Sequence, residues 1–200
     1  MRTRTHSLGQ NFLRDKAYTN QIIVTLKTHL SEIRKPQVLL EIGPGRLALT
    51  PELLNLSNQL AIQFTAIELD QKLKPFILKG IPELDIHFMD AANLDFEKFL
   101  RNLQPPLYIA SNLPYSASSQ ILANLCRNVE LIAGATVMIQ KELAIRMAAP
   151  VGSSHRGSFS LLIQGAFDVQ KCFHVPNTAF NPMPKVESTV VTLTPVNSPT

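Results

Sequence analysis

Val38-Leu39-Leu40-Glu41-Ile42, followed at once by Gly43-Pro44-Gly45-Arg46-Leu47-Ala48, decides the fold class. Five residues that are apolar except for Glu41 read as a short buried strand, and a helical pattern begins after Thr50. Between them, the glycine turn lets backbone approach a nucleotide closely at the carboxyl end of the strand. Taken alone the turn fits the dinucleotide fingerprint G-x-G-x-x-A. An acid, Glu68, follows at the end of the next apolar run (residues 61–69), where it would hold ribose hydroxyls. On these residues a nicotinamide enzyme stays open.

Strand and helix patterns alternate on either side of this unit. A third strand-like run, 84–89, ends at Asp90, placed to accept from an adenine amino group, and a fourth, 107–111, delivers Asn112 at its carboxyl end. Gly43, Glu68, Asp90 and Asn112 therefore fall along one edge of a parallel sheet, where open α/β sheets bind ligands. Singly, each acid is more often a solvated loop residue or a helix cap. Four strand ends in series favour S-adenosylmethionine over a dinucleotide. Helices are expected from Asp15 or Thr19 to 33, with Ile22, Ile23, Leu26 and Leu30 on one face, and over 51–60, 71–79, 96–103, 118–127 and 141–149. A fifth strand is expected at 137–140, then a polar, flexible segment at 151–157 acting as a lid, and late strands near 166–175 and 189–194. Such alternation predicts right-handed crossovers and a doubly wound α/β sheet with helices on both faces.

Asn112-Leu113-Pro114-Tyr115 carries the chemistry. The lone pair of an exocyclic adenine amine is delocalised into the ring, so a catalyst must stabilise the nitrogen as it becomes tetrahedral and positive. The side-chain oxygen of Asn112 and the backbone carbonyl of Leu113 or Pro114 would accept its two hydrogens, and Tyr115 would stack on the base. As a bare pattern the same four residues are also an ordinary turn.

Composition narrows the class further. Two hundred residues with 45% hydrophobic content suit one domain, and a net charge of +4 with a pI near 9.2 suits a polyanionic partner. The first 35 residues hold Arg2, Arg4, Arg14, Lys16, Lys27, Arg34 and Lys35 against Asp15 and Glu32, a basic arm able to follow a phosphate backbone. Cys126 and Cys172 make neither a disulfide framework nor a metal spacing, and neither flanks the Asn112 motif as a thiol nucleophile would. His6, His29, His87, His155 and His174 are scattered, so no metal is expected. No signal peptide is visible, and the longest apolar run, 131–139, is far short of a membrane span. The expectation is a cytoplasmic, monomeric protein.

Several motifs occur together in the order seen in one family. They are His6-Ser7-Leu8-Gly9-Gln10-Asn11-Phe12-Leu13, Glu41-Ile42-Gly43-Pro44-Gly45, Ile67-Glu68-Leu69-Asp70, Asp90-Ala91, Asn112-Leu113-Pro114-Tyr115, Gln140-Lys141-Glu142 and Phe180-Asn181-Pro182-Met183-Pro184-Lys185-Val186-Glu187-Ser188. The chain thus resembles the ribosomal RNA adenine dimethyltransferases over nearly its whole length. Erythromycin-resistance methylases and related mitochondrial transcription factors share much of the pattern.

The resemblance implies a Rossmann-like class I methyltransferase fold with an antiparallel pair at one edge of a mostly parallel sheet. It is a single domain made of a basic arm and helix (1–35), a cofactor-binding core (36–150) and a substrate-side loop with the terminal strands (151–200). It further implies S-adenosyl-L-methionine as cofactor, held by Asn11, Leu13, Gly43, Glu68, Asp90 and Asn112. The target-amine site would be Asn112, Pro114 and Tyr115, with Phe180 as the second aromatic of a sandwich around an adenine flipped out of its context. The implied activity is N6-methylation, to the dimethyl level, of adenosine in small-subunit ribosomal RNA, with the small ribosomal subunit precursor as partner; a catalytically weak RNA-binding or ribosome-assembly factor of the same fold and an antibiotic-resistance-type rRNA adenine methylase are the alternatives. The pattern departs from the family in two places. Leu47 stands where the family usually has a small residue, most often Gly, and the sequence stops at Thr200, where family members continue into a small helical domain.

Overall fold

The structure is a computed structural model and describes residues 11–99 and 103–196. Arg2, Arg4 and the motif residues 6–10 lie outside the described residues, as do 100–102 within the helix expected over 96–103.

Among the described residues, seven strands form one sheet in the order β4-β3-β2-β5-β6-β9-β7. The strands β2 (Val38–Ile42), β3 (Gln63–Glu68), β4 (Ile86–Phe88), β5 (Leu107–Asn112) and β6 (Ile132–Gln140) are mutually parallel. Antiparallel β9 (Ser188–Pro195) joins β6, and β7 (Phe167–Val175) pairs antiparallel with β9. A separate ribbon pairs β1 (Phe12–Leu13) with β8 (Phe180–Asn181). Among the described residues no helix is long and apolar enough to cross a membrane.

Helices cover both faces, which is why the central strands are apolar at almost every position rather than at alternate ones. On one face α1 (Lys16–Glu32), α2 (Thr50–Leu60) and α3 (Lys74–Gly80) bury Ile22, Ile23, Leu26, Leu53, Leu56 and Ile77 against Leu39, Tyr108 and Ala110. On the other, α4 (Phe96–Phe99), α5 (Ser118–Arg127), α6 (Lys141–Met147) and α7 (Ser158–Ala166) bury Phe96, Ile121, Leu125, Ala144 and Ile163 against Val38, Leu40, Ile42 and Ile109. Glu41 falls on the α1–α3 face, being one position out of step with Leu40 and Ile42.

Helix α1 starts where the carboxylate of Asp15 accepts the Ala17 N–H at 2.9 Å. Its last turn is pinned to the sheet by a buried polar chain. Nδ1 of His29 meets the Tyr108 hydroxyl at 2.7 Å, that hydroxyl meets Thr136 at 2.6 Å, and Nε2 meets Thr194 at 2.8 Å. Gly134 makes room for this contact, since a Cβ there would lie 2.8 Å from Ile33 and 3.0 Å from His29.

Three expectations need revision. The fifth strand begins at Ile132, five residues before the expected 137. The helix expected over 71–79 is a 3-10 turn, Gln71–Leu73, followed by α3, because Pro75 suits a first helical turn. Helix α7 has no counterpart among the expected elements. It is short, and its N-terminus is closed by the Ser160 hydroxyl accepting the Gly157 N–H at 3.1 Å. The segment 151–157 ahead of it consists of turns cross-tied by Arg156, which donates to the Ala149 carbonyl at 2.7 Å and to Gln164.

Candidate active site

Strand order reverses between β2 and β5, and the crevice beyond their carboxyl ends is where this architecture binds ligands. Ser111 donates its hydroxyl to the Ile42 carbonyl and the Gly43 N–H reaches the Ile67 carbonyl at 2.8 Å, so the tips of β5, β2 and β3 are tied together. The chain then turns through Gly43 and Gly45, at φ +73° and +54°, a region that L side chains rarely adopt. Above the turn opens a cleft walled by the tips of β2, β3 and β5 and by the start of the described chain at Asn11 to Leu13.

Of the residues picked out in the sequence, Asn11, Leu13, Gly43, Glu68, Asn112, Pro114 and Tyr115 line this cleft together. A Cβ on Gly43 would enter open space, whereas one on Gly45 would lie 3.1 Å from the Phe12 ring. Glu68 is buried, and its two oxygens accept the Gly45 N–H at 3.1 Å and the Asp70 N–H at 2.9 Å. The Asn112 amide donates through Nδ2 to the Asn11 carbonyl at 3.3 Å, which leaves Oδ1 as its acceptor.

Of the two candidate carbonyls, that of Pro114 already accepts the Ser118 hydroxyl at 2.8 Å and the Ala117 N–H at 3.0 Å, closing the first turn of α5. The Leu113 carbonyl takes no hydrogen bond among the described residues. The Pro114 carbonyl is thus engaged within the turn, whereas that of Leu113 is not. The Tyr115 hydroxyl is anchored on Ser188 at 2.7 Å; burial raises its pKa and this bond partly offsets the rise.

Asp90 and Phe180 do not line the cleft. At the β4 tip Asp90 accepts the Ala92 N–H at 2.9 Å and Nδ2 of Asn93 at 2.7 Å, and it borders a separate groove along the β4 edge. Phe180 is 3% exposed; it pairs with Leu13 across the β1–β8 ribbon and packs into the core on the α1 side. Leu47 does not line the cleft either. It adopts φ +62°, and its Cδ1 lies where a Cβ on Gly80 would come within 2.6 Å, so the side chain packs on α3.

Sequence reasoning assigned no role to Glu41, Arg46 or Phe12, all of which line the cleft. The signal for Glu41 was a carboxylate inside an otherwise apolar strand. It is 2% exposed, and neither its Oε2 nor the buried Thr50 hydroxyl has a hydrogen-bond partner among the described residues. Burial pushes its pKa up to about 8; the nearby Thr50 hydroxyl lowers it somewhat, and the charge of Glu68 adds to the rise. Thr50 thus acts on the carboxyl by proximity, in an approach that falls short of hydrogen-bond geometry. Among the described residues no cluster of His, Cys, Asp or Glu could hold a metal ion.

This cleft sits on a widely shared fold. The amino-terminal domain of EvdMO1, solved with SAH bound, superposes with a TM-score of 0.55 at 15% identity. Nearer in sequence is a dimethyladenosine transferase from Plasmodium falciparum, 28% identical with a TM-score of 0.70, covering 92% of this chain and 63% of that one. The 23S rRNA methyltransferase ErmE is 27% identical with a TM-score of 0.72, covering 94% and 71%. The fold is that of the class I S-adenosylmethionine-dependent methyltransferases.

Among curated proteins, ribosomal RNA small subunit methyltransferase A from Saccharophagus degradans is 36% identical over 190 residues, covering 94% of this chain and 67% of the relative. Its counterpart in Pseudomonas syringae pv. tomato is 38% identical over 192 residues, covering 94% and 67%. The chain thus spans about two thirds of the length of such relatives. The profile described as ribosomal RNA adenine dimethylase matches residues 1–200. With the motif order, the strand-tip cleft and these relatives in agreement, the chain belongs to the ribosomal RNA adenine dimethylase family.

Proposed function

We propose that this protein transfers methyl groups from S-adenosylmethionine to the N6 amine of adenosine in the RNA of the small ribosomal subunit, adding two in successive rounds. It does so as a cytoplasmic monomer without a metal. The observation that carries this reading is the pair of open acceptors, Oδ1 of Asn112 and the Leu113 carbonyl, in one cleft with the glycine turn and Glu68.

The residues present fit the cofactor. Gly43 leaves space where a side chain would stand, and the unpartnered Oε2 of buried Glu41 suits an ammonium such as that of a methionine moiety. Asn11, Leu13, Gly43 and Glu68 would hold it from within the cleft, with Asp90 reached from the flank through the lone pairs its loop leaves over. When bound, S-adenosylmethionine supplies a methyl group already activated on a sulfonium. Leu47 packs away from the cleft, so its bulk does not oppose binding.

Asn112 and Leu113 would accept the two amine hydrogens and turn the nitrogen lone pair toward the cofactor side, stabilising charge that develops only as the new bond forms. Tyr115, fixed by Ser188, would stack on the base, and such stacking contributes ~1–3 kcal/mol per base. For Phe180 to form the second face of a sandwich, the β1–β8 ribbon would have to shift and expose it. The methylated ammonium can lose its proton to water, so no general base is required. Asn112→Ala tests the assignment: turnover on small-subunit RNA falls by about two orders of magnitude, while calorimetry shows little change in cofactor affinity. Near-normal turnover would remove Asn112 from the chemistry.

A further inference from the structure

Among the described residues lining the cleft, Arg46 is the one cationic side chain. The guanidinium centre lies 4.9 Å from the centroid of the Phe12 ring, within cation–π range. That ring is itself held against the turn, 3.1 and 3.2 Å from where a Cβ on Gly45 would stand, and Phe12 pairs with Asn181 in the β1–β8 ribbon. Arg46 therefore rests on an aromatic platform fixed from two sides. Although Glu41 and Glu68 lie in the same cleft, Arg46 makes no ion pair among the described residues. The side chain is exposed, and among the described residues no hydrogen bond or ion pair takes up its fork of N–H donors.

We infer that Arg46 holds a backbone phosphate of the RNA strand whose adenosine enters the cleft, an inference that rests on the methylase reading above. A base inserted between Asn112 and Tyr115 must leave its phosphates at the mouth, where a planar guanidinium pairs with two phosphate oxygens at once. The deeper walls carry the acidic side chains of Glu41 and Glu68, which suit the hydroxyls and ammonium of a cofactor and offer a phosphate no cation. Preorganisation on Phe12 lowers the side-chain entropy lost on binding. Arg46 thus sets where along the strand the target base enters, in register with the acceptors at the β5 tip.

The test compares wild type, Arg46→Ala, Arg46→Lys and, as a control for net charge, Lys79→Ala on the exposed side of α3. Binding of a short fluorescent oligoadenylate RNA is titrated over a series of salt concentrations, and S-adenosylmethionine binding is measured by calorimetry. Arg46→Ala weakens RNA binding by about tenfold at low salt and lowers the slope of log affinity against log salt by roughly 0.7–1. Arg46→Lys keeps the slope but loses part of the affinity, Lys79→Ala matches wild type, and all four bind cofactor alike. Unchanged RNA affinity and slope in Arg46→Ala would overturn the inference. So would weakened cofactor binding with RNA binding intact, which would assign Arg46 to the cofactor carboxylate. Wild-type protein that binds no RNA would overturn the methylase reading, and this inference with it.

Discussion

The tips of β2 and β5 differ from those of β3 and β4 in what they leave unused. At the first pair, Glu41 keeps an unpartnered oxygen and Asn112 and Leu113 keep open acceptors. At the second pair, both oxygens of Glu68 and both of Asp90 already accept hydrogen bonds, Glu68 from Asp70 and from Gly45 in the β2 turn, and Asp90 from its own loop. As sequence the tips look alike: three apolar runs end in a polar residue, and the fourth carries Glu41 one position before its end. A buried polar group without a partner costs free energy unless a ligand completes it. The β2–β5 boundary is therefore where binding and reaction have most to gain, while the β3–β4 flank is preorganised scaffold with spare lone pairs.

The sharpest way to break this contrast is pH, because Glu41 is the group held furthest from its ordinary state. An unfolded glutamate titrates near 4.5, whereas in the fold Glu41 keeps its proton up to about pH 8. Below 4.5 both states are protonated. As pH rises from there the unfolded chain releases a proton that the fold retains, so stability is lost at up to ~1.4 kcal/mol per pH unit until about pH 8. Buried His29 acts in the opposite sense. Its pKa is lowered by burial, so stability is lost as pH falls through 6.5 and the unfolded chain takes up a proton that the fold resists. Subtracting the unfolding free energies of wild type from those of Glu41→Gln, without cofactor, cancels the histidine. The difference should grow in favour of the glutamine variant across pH 5 to 8 by roughly 1 kcal/mol per unit. Parallel curves would mean that Glu41 is not buried in the cleft wall.

A smaller effect separates the two members of the satisfied pair. Glu68 lines the cleft and Asp90 flanks it, so Glu68→Gln should raise the cofactor Kd by about tenfold, the scale of one charge-assisted hydrogen bond. Asp90→Ala should raise it by less, and should cost ~1 kcal/mol of stability because the Ala92 N–H and the Asn93 amide lose their acceptor. Calorimetry and thermal unfolding on the two variants check the order. A larger Kd change for Asp90 would place its carboxylate inside the cofactor site.

Much of this was legible in the sequence because strand ends and glycine turns leave strong local signals. The runs before Gly43, Glu68 and Asn112, the Asp15 cap and the helix at 118–127 all depend on near neighbours along the chain. What was not legible depends on partners far away. That Phe180 is covered by packing beside Leu13 and that Asp90 faces a different groove are outcomes of tertiary pairing and packing. Helix α7 went unseen because a short helix in Ser158-Phe159-Ser160-Leu161-Leu162 carries no charge pattern and little propensity signal. Arg46 went unseen because its meaning depends on a ring 34 positions earlier in the chain.

Leu47 offers the smallest effect and the finest test of how the β2 turn is held. A leucine at φ +62° carries a backbone penalty of ~1–2 kcal/mol, which Leu47→Gly would relieve. The same change frees the unfolded chain, costing ~0.5–1 kcal/mol, and forfeits a half-buried side chain worth ~1 kcal/mol. The net change in stability should lie within about 1 kcal/mol of zero by these terms, with cofactor affinity unaltered because the side chain points at α3 and not into the cleft. The contact with Gly80 makes this separable. In the wild-type background Gly80→Ala places a Cβ 2.6 Å from the Leu47 methyl and should destabilise; in Leu47→Gly the same change meets no methyl and should stabilise the end of α3. A double-mutant cycle with a coupling of at least ~0.5 kcal/mol would show that the leucine is wedged against the helix. Additive changes, or a cofactor Kd that tightens on Leu47→Gly, would instead turn the side chain toward the cleft and make the β2 tip as crowded as its flank.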